Sequence, residues 1–300
     1  MAPDHGLVQF IVNPLSGRSG SDGMVQRLVR LLLTEGFQVS IARTKGPEDA
    51  TRLAGEGCSA GACLIVVVGG DGTANEVVGG LSRDRPPVLL VPFGTENLLA
   101  RYLGLTRDPL RLLSVVRDRR EVGLDVGKMN GRQFLLVGGI GFDAEVVRRL
   151  RERRRGHITH GDYFWPTWRA FWSYEQPQVH VEADGATIFD GQGLVFVGNI
   201  PRYALGLRIL SRATPSDGLL DVCALECSWQ GPLFRHALNV LARRHRGARG
   251  VVYRQARRIC VESKARVDIE LDGEWVGSLP AVFETDGQRV RFLVPHDWRG

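Results

Sequence analysis

The chain has 300 residues, 43% of them hydrophobic and 24% charged, enough for two domains or one large one with a real core. Its formal charge of +6 favours acidic partners: nucleotides, anionic lipid surfaces, or nucleic acid without sequence specificity. No apolar run approaches a membrane span, no secretory signal precedes the first apolar run at 7–12, and the five cysteines (Cys58, Cys63, Cys223, Cys227, Cys260) lack metal-site spacing, so a cytoplasmic protein with reduced thiols is expected.

Residues 1–124 alternate strand and helix. A short apolar strand at 8–12 runs into the turn Asn13-Pro14-Leu15-Ser16-Gly17-Arg18-Ser19-Gly20. The spacing of Val25, Leu28, Val29 and Leu32 predicts a helix over 23–35, closed by Gly36 at the C-cap. A strand at 38–42 and a proline-started helix at 47–56 follow. Residues 63–68 are an unbroken apolar, β-branched run, as in a strand buried on both faces of a parallel sheet. It ends in Gly69-Gly70-Asp71-Gly72, where glycines let the backbone turn sharply and approach a ligand closely. Thr73 and Glu76 have capping-box spacing, so a helix is expected from Thr73 to about Leu81. A strand at 88–91 then leads into Pro92-Phe93-Gly94-Thr95-Glu96-Asn97 and a helix to about Leu103. This rhythm implies an open, mostly parallel, Rossmann-like α/β domain.

Three of these turns, Ser16–Gly20, Gly70–Thr73 and Gly94-Thr95, put glycine and a hydroxyl at the carboxyl end of a strand. In such a sheet those ends share one edge, where free N–H groups and helix N-termini bind phosphate. Asp71 lies in the central turn, and a carboxylate beside polyphosphate calls for an intervening cation, which makes it a candidate magnesium partner.

After about Leu124 the pattern becomes short strands, near 132–137, 179–183, 186–189, 194–198, 219–225, 251–253, 259–262, 267–271 and 281–284. Asp184-Gly185, Asp217-Gly218, Asp272-Gly273 and Asp286-Gly287 punctuate them as hairpin signals. This predicts a second, β-rich, sandwich-like domain at 125–300, with helices near 145–155, 163–173 and 232–246. A closing strand at 289–295 could pair with either domain.

GGDGT followed by Asn75-Glu76 resembles the nucleotide-binding signature of the diacylglycerol kinase, sphingosine kinase and NAD kinase superfamily. Five further markers accompany it: Asn13-Pro14 with Ser16-Gly17; Pro92–Asn97; Gly139-Ile140-Gly141-Phe142-Asp143; Pro215-Ser216-Asp217-Gly218-Leu219-Leu220-Asp221; and Leu271-Asp272-Gly273-Glu274. In this order they resemble the bacterial lipid kinases of the diacylglycerol kinase catalytic-domain family over nearly the whole chain. The resemblance implies an ATP- and Mg2+-dependent kinase acting on a primary hydroxyl of a diacylglycerol-like or sphingoid-like lipid. It assigns Asn13, Ser16, Gly17, Arg18, Thr44, Gly69, Gly70, Asp71, Gly72, Thr73, Asn75, Glu76, Gly94 and Thr95 to the nucleotide. It further implies that Asp272 is the general base with Glu274 beside it, that Asp143 holds the substrate's polar head, and that Asp217 and the Leu219 carbonyl bind a structural magnesium. Read locally, Asp272-Gly273 is also an ordinary hairpin turn and Asp217 a solvated turn aspartate. The first loop lacks the lysine that many relatives carry after the glycines, so phosphate neutralisation there would rest on Arg18 and backbone amides.

From Arg148 to Arg155 the chain reads RRLRERRR, and Trp165, Trp168 and Trp172 follow at helical spacing. This is either a solvated basic face leading into a core helix or a surface that docks on anionic membrane, with Arg148 or Arg149 also able to reach nucleotide phosphates. Peripheral membrane association is therefore expected; no specific nucleic-acid motif accompanies the charge, and a homodimer is compatible with the sequence. No Walker A GxxxxGK[ST] and no protein-kinase HRD or DFG set is present. The alternatives are an NAD kinase, against which the Gly94–Asn97 turn speaks, and a non-catalytic nucleotide- or lipid-binding regulator.

Overall fold

The computed structural model describes residues 6–16, 21–82, 86–152, 174–203 and 206–299. Its chain forms two compact units, Met1–Leu124 with Arg289–Gly300, and residues 125–288.

The first unit runs β1 (Leu7–Val12), α1 (Ser21–Thr34), β2 (Gln38–Arg43), α2 (Asp49–Ser59), β3 (Leu64–Gly69), α3 (Asp71–Gly80), β4 (Val88–Pro92), α4 (Leu98–Tyr102) and α5 (Pro109–Asp118), ending in the first residues of β5 (Glu121–Met129). β2, β1, β3 and β4 pair in that order, all parallel; Val8 faces Val39 and Leu64, and Gly69 faces Pro92. All six residues of β3 are buried, as its lack of alternation requires. Val25, Leu28 and Leu32 of α1 and Ala50, Leu53 and Ala54 of α2 are buried, so each helix turns one apolar stripe inward. The register brings the residues that follow the strands to one edge. The Asn13 amide donates to Val68 O, the Thr44 amide to Val12 O, and the Phe93 amide to Gly69 O.

The second unit holds most of β5, then β6 (Arg132–Phe134), β7 (Val137–Ile140), α6 (Phe142–Glu152), β8 (Gln178–Ala183), β9 (Ala186–Gly198), β10 (Leu220–Glu226), α7 (Gln230–Leu241), β11 (Val251–Ala256), β12 (Arg258–Glu262), β13 (Asp268–Leu271), β14 (Glu274–Ser278) and the first part of β15 (Ala281–Leu293). Its pairings are antiparallel. The first half of β9 pairs with β8, and its second half lies between β7 and β10, so one long strand belongs to two sheets of a sandwich. Val181, Val195, Val222, Ile259 and Phe283 lie in the core between them, with Phe134 and Phe283 edge to face at 5.9 Å. The far end of β15 returns to the first unit, where Phe292 faces Val88 of β4 in parallel.

Asp184-Gly185 and Asp272-Gly273 form two-residue hairpin turns with positive φ at both positions (47° and 83°, 52° and 86°), joining β8 to β9 and β13 to β14. The other two Asp-Gly pairs do not make hairpins. Asp217-Gly218 lies in the loop ahead of β10, and β15 runs on through Asp286-Gly287, with Gly287 at φ 72°, merging the expected strands at 281–284 and 289–295. A turn dipeptide permits reversal; whether the chain reverses depends on the neighbours available to pair. For the same reason the expected strands at 186–189 and 194–198 are one, and 132–137 is divided into β6 and β7. α5, β5 and β14 are additional to the sequence reading. α5 carries legible signals, with Asp108 accepting the Leu110 amide at 3.0 Å and proline at its first position. The expected helix at 232–246 is shorter, ending with α7 at Leu241, and the one expected at 163–173 lies outside the described residues.

Candidate active site

At the β3–α3 junction the backbone makes the site. Helix α3 starts at Asp71, not Thr73, with Gly70 as an extended N-cap and no side-chain cap. The expected Thr73–Glu76 capping box is therefore not formed. Thr73 is instead buried in the helix's first turn, where its hydroxyl accepts from Asn13 Nδ2 at 3.0 Å. Asn13 Oδ1 also accepts the Leu15 amide, so one side chain ties the first loop to the second. The first intrahelical bond runs from the Ala74 amide to Gly70 O, so the amides of Asp71, Gly72 and Thr73 have no helical carbonyl to bond and face the helix's positive end. A Cβ on Gly94 would lie 2.5 Å from Gly70 Cα, so the second and third turns touch backbone to backbone. Asn97 closes the third turn by accepting the Gly94 amide and donating to Gly94 O, both at 2.7 Å.

Asp71 has a task that is invisible in the local sequence. Its two carboxylate oxygens accept the Leu98 and Leu99 amides at 2.9 and 3.0 Å and so cap α4. Burial pushes this carboxyl above its ordinary range, and those two amides oppose the shift. Thr44 is buried beside β1, Thr95 is exposed, and Asn75 and Glu76 are half-buried on α3. Ser16 closes a turn on Asn13 O, while Gly17 and Arg18 lie outside the described residues.

In the second unit, Asp272 occupies the β13–β14 turn and accepts three amides: Leu135 on Oδ2 at 2.9 Å, and Leu136 and Val137 on Oδ1 at 2.9 and 3.2 Å. Glu274, next along, is exposed and pairs with Arg132 at 3.1 Å.

Two residues before Asp272, the fully buried Glu270 has no precedent in the sequence reading. It accepts the Tyr203 hydroxyl on Oε1 at 2.7 Å and the Gly273 amide on Oε2 at 2.8 Å. Asp143 Oδ2, at the start of α6, is shut off from solvent without a hydrogen-bond partner among the described residues. The two carboxyls meet over Gly139. A Cβ there would lie 2.7 Å from Glu270 Oε1, 2.8 Å from Asp143 Oδ2 and 3.2 Å from the Tyr203 hydroxyl, so only glycine leaves room for them. Burial pushes Asp143 up to about 7, and burial together with the Asp143 charge holds Glu270 well above the usual carboxylate range. Two carboxyls this close share a proton rather than both ionising. The signal that could have found Glu270 is its place in β13, where it pairs directly with Gly139 among the glycines of β7.

Alongside, a cavity of about 360 Å3 is lined by Glu145, Arg148, Arg266 and Asp268. Arg148 donates to Glu145 at 2.7 Å and to Asp268 at 2.8 Å, and Arg149 donates to Glu145. These two arginines are thus engaged with carboxylates rather than forming a solvated basic face. Arg153, Arg154, Arg155 and the tryptophans at 165, 168 and 172 lie outside the described residues.

Around the 215–219 loop three carboxylates gather. Asp125 accepts the Gly218 amide at 2.6 Å, Asp217 accepts the Leu219 amide at 3.0 Å, and Gln255 donates to both Asp217 and Asp221. Burial raises Asp221 to about 6, with the Asp217 charge adding to the rise. Among the described residues no group of three or more His, Cys, Asp or Glu side chains is placed to hold a metal ion. At Asp217 the fit to magnesium is accordingly partial: N–H donors occupy both of its oxygens, and water or backbone oxygens would have to complete the shell. Among the described residues no helix is long and apolar enough to cross a membrane.

Two family models match the chain: the diacylglycerol kinase catalytic domain over residues 8–129, and the YegS C-terminal NAD kinase beta sandwich-like domain over residues 137–294. A diacylglycerol kinase of Bacillus subtilis (strain 168) is 28% identical over 293 residues, covering 96% of each chain. One from Staphylococcus carnosus is 27% identical over 96% of this chain and 95% of its own. A crystal structure of a putative diacylglycerol kinase from Bacillus anthracis superposes with a TM-score of 0.79 at 24% identity, over 97% of this chain and 96% of the other. A second crystal structure of a diacylglycerol kinase from that organism has a TM-score of 0.72 at 22% identity, over 97% and 98%. These structures share the two-part fold.

Proposed function

The chain belongs to the diacylglycerol kinase catalytic-domain family of lipid kinases, its second unit being the family's β-sandwich-like domain, and on that basis we propose that it transfers the γ-phosphoryl group of ATP to a primary hydroxyl of a diacylglycerol-like or sphingoid-like lipid. The observation that carries the reading is the match of the chain to the diacylglycerol kinase catalytic domain and to the YegS C-terminal domain, joined to the glycine turns after β3 and β4, which touch backbone to backbone at one sheet edge.

In this reading the amides at the start of α3 and the Gly94 turn hold the phosphates, with Asn13 fixing the first loop against Thr73. The acceptor oxygen attacks the γ-phosphorus, the bond to the β-phosphate oxygen breaks, ADP leaves, and the hydroxyl proton passes to Asp272. Three amides fix the direction of that carboxylate, so the base is held without a mobile rotamer. Asp143 and Glu270, with one proton between them, can donate to or accept from a hydroxyl-bearing head group beside the cavity of Glu145, Arg148, Arg266 and Asp268. Magnesium bound with the nucleotide would neutralise phosphate charge. Asp71, both of whose oxygens cap α4, would meet such a cation through water. The acceptor lipid resides in a bilayer, so the enzyme works peripherally at a membrane surface, with the segment from Arg148 to Arg155 and Trp165 to Trp172 as one proposed contact.

The test is label transfer from γ-labelled ATP with magnesium to diacylglycerol, sphingosine, ceramide, monoacylglycerol and phosphatidylglycerol in mixed micelles, with NAD as a soluble acceptor. A labelled diacylglycerol or sphingoid lipid is the expected result. Label on NAD alone, or on nothing while ATP still binds, would refute it.

A further inference from the structure

Residues 228–250 read SWQGPLFRHALNVLARRHRGARG, which contains five arginines and no aspartate or glutamate. Helix α7 lies within this stretch. Leu233, His236 and Val240, at i, i+3 and i+7, form its buried face. Phe234, Leu238 and Leu241, at i, i+4 and i+7, form a second apolar stripe on the adjacent face, and these residues are 59%, 49% and 64% exposed. Trp229, at the N-cap, is 62% exposed and lays its indole over Gly231. Half of the eight exposed large hydrophobic side chains among the described residues thus fall within 13 residues of chain. An exposed apolar cluster of this kind signals a binding surface more than a chance of composition.

Its setting is cationic and rigid. Arg235, Arg243, Arg244, Arg246 and Arg249 are all exposed, and none of them forms an ion pair among the described residues. The underside is pinned by two buried histidines: His236 Nε2 donates to Glu226 O at 2.8 Å, and His245 Nε2 donates to Ile209 O at 2.9 Å. The face is therefore presented by anchors that do not need it.

We propose that α7 and the turn after it, residues 229–249, dock the protein on an anionic lipid bilayer, with Trp229, Phe234, Leu238 and Leu241 entering the interface and the five arginines meeting headgroups. A one-sided helix with Trp, Phe and Leu flanked by arginine is the pattern of an interfacial helix. Charge decides the occupant. A second copy on a two-fold axis would set five arginines against five with no carboxylate in the segment to offset them, whereas an anionic leaflet complements them. This segment is separate in sequence from 148–172, and its binding to lipid stands apart from the kinase reading.

Sedimentation of the full chain with phosphatidylglycerol–phosphatidylcholine vesicles, and with phosphatidylcholine vesicles alone, tests it. The wild type binds the anionic vesicles preferentially. Phe234→Asn with Leu241→Asn lowers that affinity at least tenfold, as loss of two apolar insertions requires. Arg243→Gln with Arg244→Gln lowers it about fivefold per charge and flattens its salt dependence. Leu33→Asn, at an exposed leucine of α1, leaves it unchanged. Phosphorylation of a short-chain, water-soluble acceptor by the Phe234→Asn/Leu241→Asn protein stays at the wild-type rate, which separates docking from folding and chemistry. Vesicle affinity within twofold of wild type in that variant overturns the proposal, as does a dimer in sedimentation equilibrium that the variant dissolves while vesicle binding persists. A wild type that phosphorylates no lipid yet docks through α7 would refute the kinase reading and leave this one standing.

Discussion

Replacing Asp272 by asparagine separates two jobs that one carboxylate holds. The side chain anchors the Leu135, Leu136 and Val137 amides at 2.9, 2.9 and 3.2 Å, and it is the proposed base. The asparagine oxygen can keep the two amides now on Oδ1, but its NH2 group then faces the Leu135 N–H, donor against donor. Leaving one such partly buried donor unsatisfied costs about 1–3 kcal/mol. For a unit of this size that is a fall in melting temperature of roughly 2–4 °C per kcal/mol. Loss of the base lowers turnover about 10²–10⁴-fold. Calorimetry and label transfer on the same preparation read the two effects separately. Glu274→Gln serves as the comparison, since it removes only an exposed pair with Arg132 worth roughly 0–1 kcal/mol. An Asp272→Asn protein that melts like the wild type would refute the anchoring argument. One that melts low but turns over at the wild-type rate would refute the base.

Gly94→Ala, which would press a Cβ to 2.5 Å from Gly70 Cα, is expected to raise the KM for ATP about tenfold, while Gly46→Ala, with nothing within 4 Å, should leave it unchanged. Equal values would mean that the two turns do not form the nucleotide site. Asp71→Ala removes both caps of α4 and should destabilise it by about 1 kcal/mol, seen as faster hydrogen exchange at Leu98 and Leu99. Because Asp143 is raised in the folded chain from 3.8 to about 7, its contribution to stability is fully present below about 3.8 and is lost as pH rises through about 7. Urea midpoints of Asp143→Asn should therefore gain on wild type between pH 5 and pH 8; parallel curves would discount the shared proton.

What the sequence determined by itself is what depends on neighbours along the chain. The apolar run ending at Val68 announced a strand buried on both faces, because a strand's burial pattern is written in adjacent residues, whereas of the four Asp-Gly pairs only Asp184-Gly185 and Asp272-Gly273 became hairpins. The order of motifs announced the family and its two-part fold. Tertiary structure alone decided the partnerships. Thr73 bonds Asn13, 60 residues away, rather than forming the box its spacing allows. Asp71 caps a helix 27 residues on, and Asp272 holds amides that precede it by 135 residues or more. Glu270 and Asp143 share a pocket because β13 pairs with β7 and the helix after β7 returns over it. A carboxylate's role depends on which donors and charges surround it, and those come from residues remote in sequence, so no local pattern can state it.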